Sequence, residues 1–268
     1  MHFPTARDHK YTRGHAIVVG GPLVSTGAAR MAAYAAMRAG AGLATILCDR
    51  MSLPVYAKNM LAVMTRVVEN RKTLAGIAKS PKCHALLIGP GAGLTRHTKE
   101  FTLTLLKSGK PCVLDADALS VFEKTPDTLF RAIQQSEGEV VLTPHHAEFE
   151  RLFGKISNEK TSAQQAAVKS GAVVVLKGGR TIIASPKGEC RINHHASPDL
   201  ATAGSGDVLA GIILGQLAQG MPAFDAASAA VWIHGDAGKK LGACMIAEDI
   251  IAELPHVMKQ LRKRRGIK

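Results

Sequence analysis

The sequence predicts an α/β fold with a mainly parallel sheet that helices flank on both faces. Between residues 15 and 178, short runs of β-forming residues alternate with longer alanine-rich runs of helical periodicity. This alternation is typical of βαβ units, which build parallel sheets. The chain has 268 residues, of which 46% are hydrophobic, so it can bury a large core. We therefore expect residues 1–268 to form a single domain.

The predicted elements follow one another in a regular order. Six strands are predicted at residues 16–20, 43–47, 85–89, 112–115, 140–143 and 173–177, where β-forming residues cluster. The stretches of helical periodicity between them predict helices at 27–39, 96–108, 147–153 and 162–170. After residue 177 the pattern changes to a hairpin, 181–185 and 189–193, with the turn Pro186-Lys187-Gly188. Three helical stretches, 205–219, 223–241 and 247–263, close the chain.

The net charge of +13 is unevenly distributed along the chain. Residues 259–268 carry six positive charges and no negative one, which is typical of a solvated terminal segment. Aromatic residues make up only 4% of the chain, so few side chains are available to stack on bases. We therefore expect no nucleic-acid partner, and we attribute the remaining positive charge to attraction of a polyanionic nucleotide.

The five cysteines are scattered and form no Cys-x-x-Cys pair, which argues against a disulfide framework or a zinc site. The first ten residues contain prolines, charges and histidines where a signal peptide would have an apolar region. No run of the sequence approaches the roughly 18 apolar residues of a membrane span. We predict a cytoplasmic protein with no membrane partner.

Glycine-rich or polar segments follow five of the predicted strands. In chain order they are Gly20-Gly21, Gly89-Pro90-Gly91-Ala92-Gly93, Asp115-Ala116-Asp117, Thr143-Pro144-His145-His146 and Lys177-Gly178-Gly179. In open α/β sheets, ligands bind at the carboxyl ends of the strands. The recurrence of such residues at five strand ends predicts a ligand site at that edge, although each segment alone would be read as a turn.

The segment Gly204-Ser205-Gly206-Asp207 predicts an anion site that carries a base. Its glycines let the backbone approach a ligand closely, and the free N–H groups of the following helix attract a phosphate. A carboxylate beside a phosphate is repelled by it, so Asp207 is expected to have a chemical role as a general base. The alternative is that the segment only caps a helix.

The motifs together resemble those of a known family. They are, in order, Thr26-Gly27-Ala28-Ala29, Arg38-Ala39-Gly40-Ala41-Gly42-Leu43, Ile88-Gly89-Pro90-Gly91, Leu114-Asp115-Ala116-Asp117-Ala118-Leu119, Leu142-Thr143-Pro144-His145, Leu176-Lys177-Gly178 and Gly204-Ser205-Gly206-Asp207. This set is similar to the motifs of the ADP-dependent NAD(P)H-hydrate dehydratases, a family of the ribokinase-like superfamily. The similarity extends over roughly residues 10–254. It implies a ribokinase-like fold and a repair reaction that restores NADH or NADPH from the hydrated S form, with ADP converted to AMP and phosphate.

The resemblance also implies roles for individual residues. The hydrated nicotinamide nucleotide would contact Ala28, Gly91, Gly93, His145 and Asp207. The adenine nucleotide, ADP or possibly ATP, would be held by Lys177, Gly178, Gly179, Arg180, Thr181 and Gly206, and the anion hole would consist of Gly204, Ser205, Gly206 and Asp207. A Mg²⁺ ion would accompany the nucleotide, with Glu148 as an indirect partner. For His145 the alternative is a local role as a capping residue of a loop.

Several positions depart from the family pattern. His146-Ala147 stands where Pro-Gly is usual, Ser120 where asparagine is usual, and Ala203 and Ser205 where glycine and threonine are usual. The segment His194-His195-Ala196-Ser197-Pro198-Asp199 lacks the customary Gly-Asn pair. The base and the anion hole are retained, so the departures affect the shape of the dinucleotide pocket.

The resemblance further implies a homo-oligomer, with a tetramer as one possibility. Only about fifteen residues precede the first predicted strand, so a separate epimerase chain is the expected functional partner. Two other functions stay open at this point: a ribokinase-like small-molecule kinase, and a non-catalytic module that binds nucleotides or nucleic acid.

Overall fold

The computed structural model describes residues 3–5, 7–58, 60–264 and 266. In this part of the chain, nine strands form one sheet. They are β1 (His15–Val19), β2 (Leu43–Cys48), β3 (Met64–Val67), β4 (Ala85–Ile88), β5 (Cys112–Leu114), β6 (Val140–Leu142), β7 (Val173–Leu176), β8 (Thr181–Ala184) and β9 (Cys190–Asn193). Their order is β3-β2-β1-β4-β5-β6-β7-β8-β9. Strands β1 to β7 pair in parallel, and β8 and β9 continue the sheet in antiparallel pairing.

Helices cover both faces of this sheet. They are α1 (Thr26–Arg38), α2 (Leu53–Ala57), α3 (Arg71–Ala78), α4 (Arg96–Leu106), α5 (Asp117–Ser120), α6 (Pro126–Gln134), α7 (His146–Phe153), α8 (Glu159–Ser170), α9 (Ser205–Ala218), α10 (Ala223–Leu241) and α11 (Ala247–Arg264). One apolar cluster joins α1, α9, α10 and α11 to the sheet, and a second cluster joins α3 to α8 to its other face. The predicted fold class is confirmed.

The central strands are apolar throughout because both of their faces are buried. In β1, Ala16 and Val18 belong to one apolar cluster, whereas Ile17 and Val19 belong to the other. Successive side chains of a strand point to opposite faces, so a strand between two helical layers needs apolar residues at every position. This burial explains why the central strands were predictable from the sequence.

Close packing of α1 on α9 fixes the two helix starts that border the ligand edge of the sheet. A Cβ at Gly211 would collide with the carbonyl oxygen of Ala32, and one at Gly215 would approach that of Ala36. The two contacts have the same sequence offset, so the helices run side by side in the same direction. That register places Asp207, in the first turn of α9, level with Ala28 in the first turn of α1.

The structure also contains elements that the sequence did not predict. These are strand β3 and helices α2, α3, α5 and α6. Helix α8 begins three residues before its predicted start, because the Asn158 side chain caps it by accepting a hydrogen bond from the N–H of Thr161 (3.1 Å). The hairpin β8–β9 and the three C-terminal helices lie where they were predicted.

The expectation of a solvated segment at residues 259–268 fits four of its first six residues, since residues 259, 260, 263 and 264 are exposed. Helix α11 continues to Arg264, and Leu261 packs against the core of its face of the sheet. The guanidinium of Arg264 lies 5.6 Å from the ring centroid of Trp232. The remaining positions include Arg265, Ile267 and Lys268, which lie outside the described residues. In the described part of the chain, every helix is too short or too polar to cross a membrane.

Candidate active site

Three adjacent parallel strands bring a buried ionic cluster to the carboxyl edge of the sheet. Asp115 follows β5, Thr143 follows β6 and Lys177 follows β7. The Oδ1 atom of Asp115 accepts hydrogen bonds from Thr143 Oγ1 (2.7 Å) and from Lys177 Nζ (2.9 Å). The carboxylate of Asp115 is almost fully buried, and such a charge is stable only when it is paired and hydrogen-bonded.

The glycine-rich turn at residues 204–207 opens helix α9. Gly204 has a φ of +85° and serves as the N-cap, so the chain reverses into the helix where a side chain would be strained. A Cβ at this position would also approach the side chain of Met31. The first N–H groups of a helix have no partner within the helix, and together with its dipole they make a site for an anion.

Ser205 in this turn is hydrogen-bonded to a histidine of α10. Its Oγ atom lies 3.0 Å from Nε2 of His234, and both side chains are buried. Burial lowers the pKa of His234 to about 4, so the imidazole is neutral at ordinary pH. The neutral ring therefore holds the turn without adding positive charge to it.

Asp207 lies in the first turn of α9, and its carboxyl group has an unusually high pKa. Burial raises the pKa of its carboxyl group to about 7, and the negative charges of Asp115 and Asp117 act in the same direction. The ammonium of Lys177 acts in the opposite direction and lowers this pKa in part. A carboxylate with a pKa near neutrality is suited to general acid–base catalysis.

A cavity of about 780 Å³ opens on one side of the turn. Its lining includes Lys177, Gly178, Gly179, Thr181, Ser205, Gly206, His145 and His234. Its far wall is the loop before α9, with Asn193, Ala196, Ser197, Pro198, Leu200, Ala201 and Thr202. The volume matches that of pockets for small organic ligands, and a mononucleotide belongs to this size class.

The ammonium of Lys177 connects the cavity to the turn. Its Nζ atom lies 3.4 Å from the position that a Cβ would take on Gly206. Burial works against its positive charge, but the nearby carboxylates of Asp115, Glu148 and Asp207 outweigh this effect and raise the pKa of Lys177. Lys177 is therefore a fixed cation at the floor of the predicted anion site.

Two glycine-rich loops form the other side of the site: residues 20–25 after β1 and residues 89–93 after β4. A Cβ on Gly91 would lie 3.3 Å from the Cβ of Ala28, so the loop after β4 rests on the first turn of α1. The Ser25 hydroxyl donates a hydrogen bond to the carbonyl oxygen of Gly91 (2.6 Å), and the N–H of Gly93 donates one to Asp117 Oδ2 (2.7 Å). Asp207 directly follows Ser205 and Gly206, which line the cavity, in the first turn of α9.

His145 and Glu148 form a reciprocal cap at the start of α7. The N–H of His145 donates to Glu148 Oε2 (2.9 Å), and the N–H of Glu148 donates to His145 Nδ1 (3.2 Å). The local capping role considered for His145 is therefore present, and the imidazole is also half-exposed and lines the cavity. It lies with the residues assigned to the adenine nucleotide, apart from Ala28 and Gly91.

The described residues contain no group of three or more acidic, histidine or cysteine side chains that would hold a metal ion directly. Glu148 is buried, and its carboxylate is already bonded within the cap. Mg²⁺ is commonly bound by one or two carboxylates together with phosphates and water. The residues present thus fit an ion that is carried mainly by the nucleotide phosphates.

The cavity lining contains seven of the residues selected from the sequence. It lacks Arg180 and Gly204, and also Ala28, Gly91, Gly93, Glu148 and Asp207. Arg180 points away from the cavity toward Glu159, at 3.5 Å, and its side chain is largely exposed. Gly204 lies behind the turn and is absent from the cavity lining. Asp115, Thr143 and His234 are site residues to which the sequence gave no role. The segments around Asp115 and Thr143 were noticed as strand ends, whereas nothing in the pattern of α10 distinguished His234.

The sequence matches the family model for NAD(P)H-hydrate dehydratase over residues 16–256. The chain belongs to this family. It is 37% identical over 265 residues to the ADP-dependent (S)-NAD(P)H-hydrate dehydratase of Neisseria meningitidis, with 96% of this chain and 87% of the relative covered. It is 36% identical to the bifunctional NAD(P)H-hydrate repair enzyme of Moorella thermoacetica, with 96% of this chain covered. The chain spans 52% of the length of that bifunctional relative.

Solved structures of the family have the same fold. The ADP/ATP-dependent NAD(P)H-hydrate dehydratase of Bacillus subtilis, co-crystallised with ATP and Mg²⁺, superposes with a TM-score of 0.85 at 30% identity and covers 96% of this chain and 93% of its own. A ribokinase-like superfamily protein of Enterococcus faecalis also gives 0.85, at 28% identity, with 96% of this chain and 91% of its own covered. The hydroxyethylthiazole kinase of Pyrococcus horikoshii shares the fold at 16% identity and a TM-score of 0.63, covering 91% of this chain and 88% of its own. These likenesses establish the ribokinase-like fold of the family member described here.

Proposed function

We propose that the chain is an ADP-dependent dehydratase that acts on the S form of hydrated NADH or NADPH and yields the reduced dinucleotide, AMP and phosphate. The observation that carries the proposal is the position of Asp207. Its carboxyl group has a pKa of about 7 and lies in the first turn of α9, directly after Ser205 and Gly206, which line the mononucleotide-sized cavity. The names of the family relatives support the substrate and the co-substrate.

In this proposal, Asp207 acts on the hydroxyl group of the hydrated ring. Its carboxylate takes the hydroxyl proton, and the hydroxyl oxygen attacks the terminal phosphorus of ADP, so that AMP leaves. The ring lies toward Ala28, Gly91 and Gly93, and His145 borders it from the cavity side. Because the pKa of Asp207 is near 7, much of the carboxyl group is ionised at neutral pH.

The transferred phosphate would lie at the start of α9. The N–H groups of Gly206 and its neighbours donate to the phosphate oxygens, and Lys177 adds a fixed positive charge from below. We assign the nucleoside part of ADP to the cavity along Gly178, Gly179 and Thr181, which its lining supports. Arg180 then contributes from outside the cavity, through its backbone.

Elimination completes the reaction. The ring nitrogen expels the phosphate with its lone pair, and a proton leaves the neighbouring ring carbon, which restores the reduced nicotinamide. A Mg²⁺ ion on the nucleotide phosphates would spread the developing negative charge. We place Glu148 as its indirect partner, in contact through water. ATP fits the same assignment as an alternative co-substrate, which the Bacillus relative co-crystallised with ATP supports.

The fate of the phosphorylated alcohol tests this function. An ordinary alcohol lacks the neighbouring nitrogen, so a kinase would accumulate a stable phosphate ester. We expect one AMP and one free phosphate for each reduced dinucleotide, measured as phosphate release alongside absorbance at the reduced-nicotinamide band. Accumulation of a phosphorylated product without recovered NADH or NADPH would establish kinase activity in its place.

We also propose that the chain is a single domain and works as a homo-oligomer, with a tetramer as the first arrangement to test. A separate epimerase would supply the S form from the R form. The existence of bifunctional relatives supports a functional link between the two activities. The cytoplasmic location and the lack of a nucleic-acid partner stay predictions.

A further inference from the structure

Asp115 has no role in the reaction proposed above, although it is the most deeply buried carboxylate of the site. It is 1% exposed, and one of its oxygens accepts two hydrogen bonds. The donors, Thr143 and Lys177, follow β6 and β7, the next two strands on one side of β5, and their hydrogen bonds to Asp115 measure 2.7 and 2.9 Å. The hydrogen bond to Asp115 therefore holds the Lys177 ammonium in place.

The ammonium of Lys177 is bonded to the carboxylate of Asp115 and is also attracted by that of Asp207. Its Nζ atom is bonded to Asp115 and also lies against Gly206, the residue before Asp207. Both carboxylates stabilise its charge electrostatically. A buried ammonium that loses its partner turns to the nearest remaining carboxylate, because an unpaired buried charge is costly. Without Asp115, the carboxylates of Glu148 and Asp207 remain near Lys177. Glu148 is already bonded within the cap of α7, which leaves Asp207 as the new partner.

We propose that Asp115 is a positioning residue for the dehydration reaction: it holds the Lys177 ammonium beneath Gly206, facing the transferred phosphate, and keeps it from pairing with Asp207. The base then stays free to accept the hydroxyl proton. Thr143 restricts the Asp115 carboxylate to the orientation that faces Lys177. This inference rests on the proposed function of the site.

A purely structural role for Asp115 predicts different behaviour. If Asp115 only neutralised a buried lysine, its removal would lower stability and shift the acidic limb through the lost charge alone, whereas kcat at high pH would stay unchanged and Thr143→Val would match Thr143→Ser. The charged and titratable groups that influence this cluster come from β-strand ends and from α5, α7, α9 and α10. They are Asp115, Asp117, Glu148, Lys177, Asp207 and His234.

The test is the pH profile of Asp115→Asn with hydrated NADH and ADP. Asparagine keeps the shape but removes the charge that raises the pKa of Asp207, and it releases Lys177 toward Asp207. Both changes favour the ionised carboxyl group, so the acidic limb of kcat/KM is expected to move to lower pH by about one unit. At high pH, kcat is expected to stay about 10²-fold below that of the unmodified protein, because the ammonium no longer faces the phosphate.

Thr143 supplies a second test that keeps every charge in place. Thr143→Val removes the hydrogen bond to Asp115, whereas Thr143→Ser keeps it. We expect Val to lower kcat by about three- to tenfold, as the loss of one buried hydrogen bond predicts, and Ser to restore most of it. If Asp115→Asn does not fold, the comparison of Thr143→Val with Thr143→Ser tests the positioning role of Asp115 by itself.

Two results would overturn the positioning role. One is a folded Asp115→Asn variant whose kcat at high pH equals that of the unmodified protein, whatever its stability. The other is equal kcat for Thr143→Val and Thr143→Ser. A failure of the proposed function is distinguishable, because then the unmodified protein itself would produce no reduced dinucleotide.

Discussion

At the scale of single residues, the protonation of Asp207 sets the pH dependence of the reaction. The base must be ionised, and burial raises its pKa to about 7. We therefore expect kcat/KM to fall about tenfold per pH unit below pH 7 and to level off above it. Asp207→Asn should remove this limb and lower turnover by roughly two to four orders of magnitude. Steady-state rates between pH 5.5 and 8.5 at constant ionic strength give both results.

A matched control for this substitution is Asp225→Asn. Asp225 is exposed and pairs with Arg191 at the start of α10, at 2.8 Å. Its loss removes the same charge from the protein at a distance from the base, so the acidic limb should persist. More than half of the unmodified turnover in Asp207→Asn, at saturating substrate, would contradict the assignment of the base.

The sequence singled out Asp207 and Lys177 as candidates, because each stands beside glycines where a helix begins or a strand ends. It was insufficient for their partners. Lys177 meets Asp115 across 62 residues, and Ser205 meets His234 across 29. Such pairs depend on which strands become neighbours and on which face of α10 packs against α9. Local patterns carry no information on either.

At the scale of elements, the loop between β9 and α9 is docked on α10 by one histidine. The His195 ring stacks on Trp232 with the centroids 5.1 Å apart, and its Nε2 atom lies 3.0 Å from Asp236 Oδ1. A Cβ at Gly235 would collide with the carbonyl oxygen of His195. Several residues that follow in this loop form the wall of the large cavity. The segment that departs from the family pattern therefore lines the cavity to which we assign the nucleotide.

We expect His195→Ala to raise the KM for ADP by about two- to tenfold, the effect of losing roughly one hydrogen bond, with a smaller change in kcat. The loop then fluctuates, whereas Asp207 and Lys177 keep their positions. His194→Ala is the matched control, because His194 is the exposed neighbour of His195 and should leave KM unchanged. Initial rates over a range of ADP concentrations measure the effect. An unchanged KM in His195→Ala would show that this docking does not shape the site.

Two of the elements that the sequence missed lack a pattern from which they could be predicted. Strand β3 lies at the edge of the sheet and exposes Met64 and Arg66, so it lacks the continuous apolar run of the central strands. Helix α5 has only four residues, too few for a period to appear. The central strands and the long helices were predictable because burial on the sheet imposes their patterns.

At the scale of the whole molecule, the site lies where the strand order changes direction. β1 pairs with β2 on one side and with β4 on the other, and the loops that follow β1 and β4 carry Gly20-Gly21 and residues 89–93. Connections from adjacent strands diverge at such a point and leave a crevice that binds ligands. In this chain, the loops after β1 and β4 line one cavity, whereas Lys177, Ser205 and Gly206, at the carboxyl end of β7, line another. The ligand site expected at these strand ends stays a prediction from the sequence.

The C-terminal turns of α11 contact Trp232, on which the loop between β9 and α9 is docked. Leu261 packs on the core, and Arg264 lies over the Trp232 ring that also stacks on His195. Deletion of residues 259–268 should lower the free energy of unfolding by about 1–3 kcal/mol, because the burial of Leu261 is lost. It should leave kcat at saturating ADP within about twofold, since Asp207 and Lys177 stay in place.

Deletion of residues 265–268 alone is the control and should change neither quantity. Urea unfolding and steady-state kinetics measure both, and a tenfold loss of kcat in the folded longer truncation would place this segment in the site or in an essential interface.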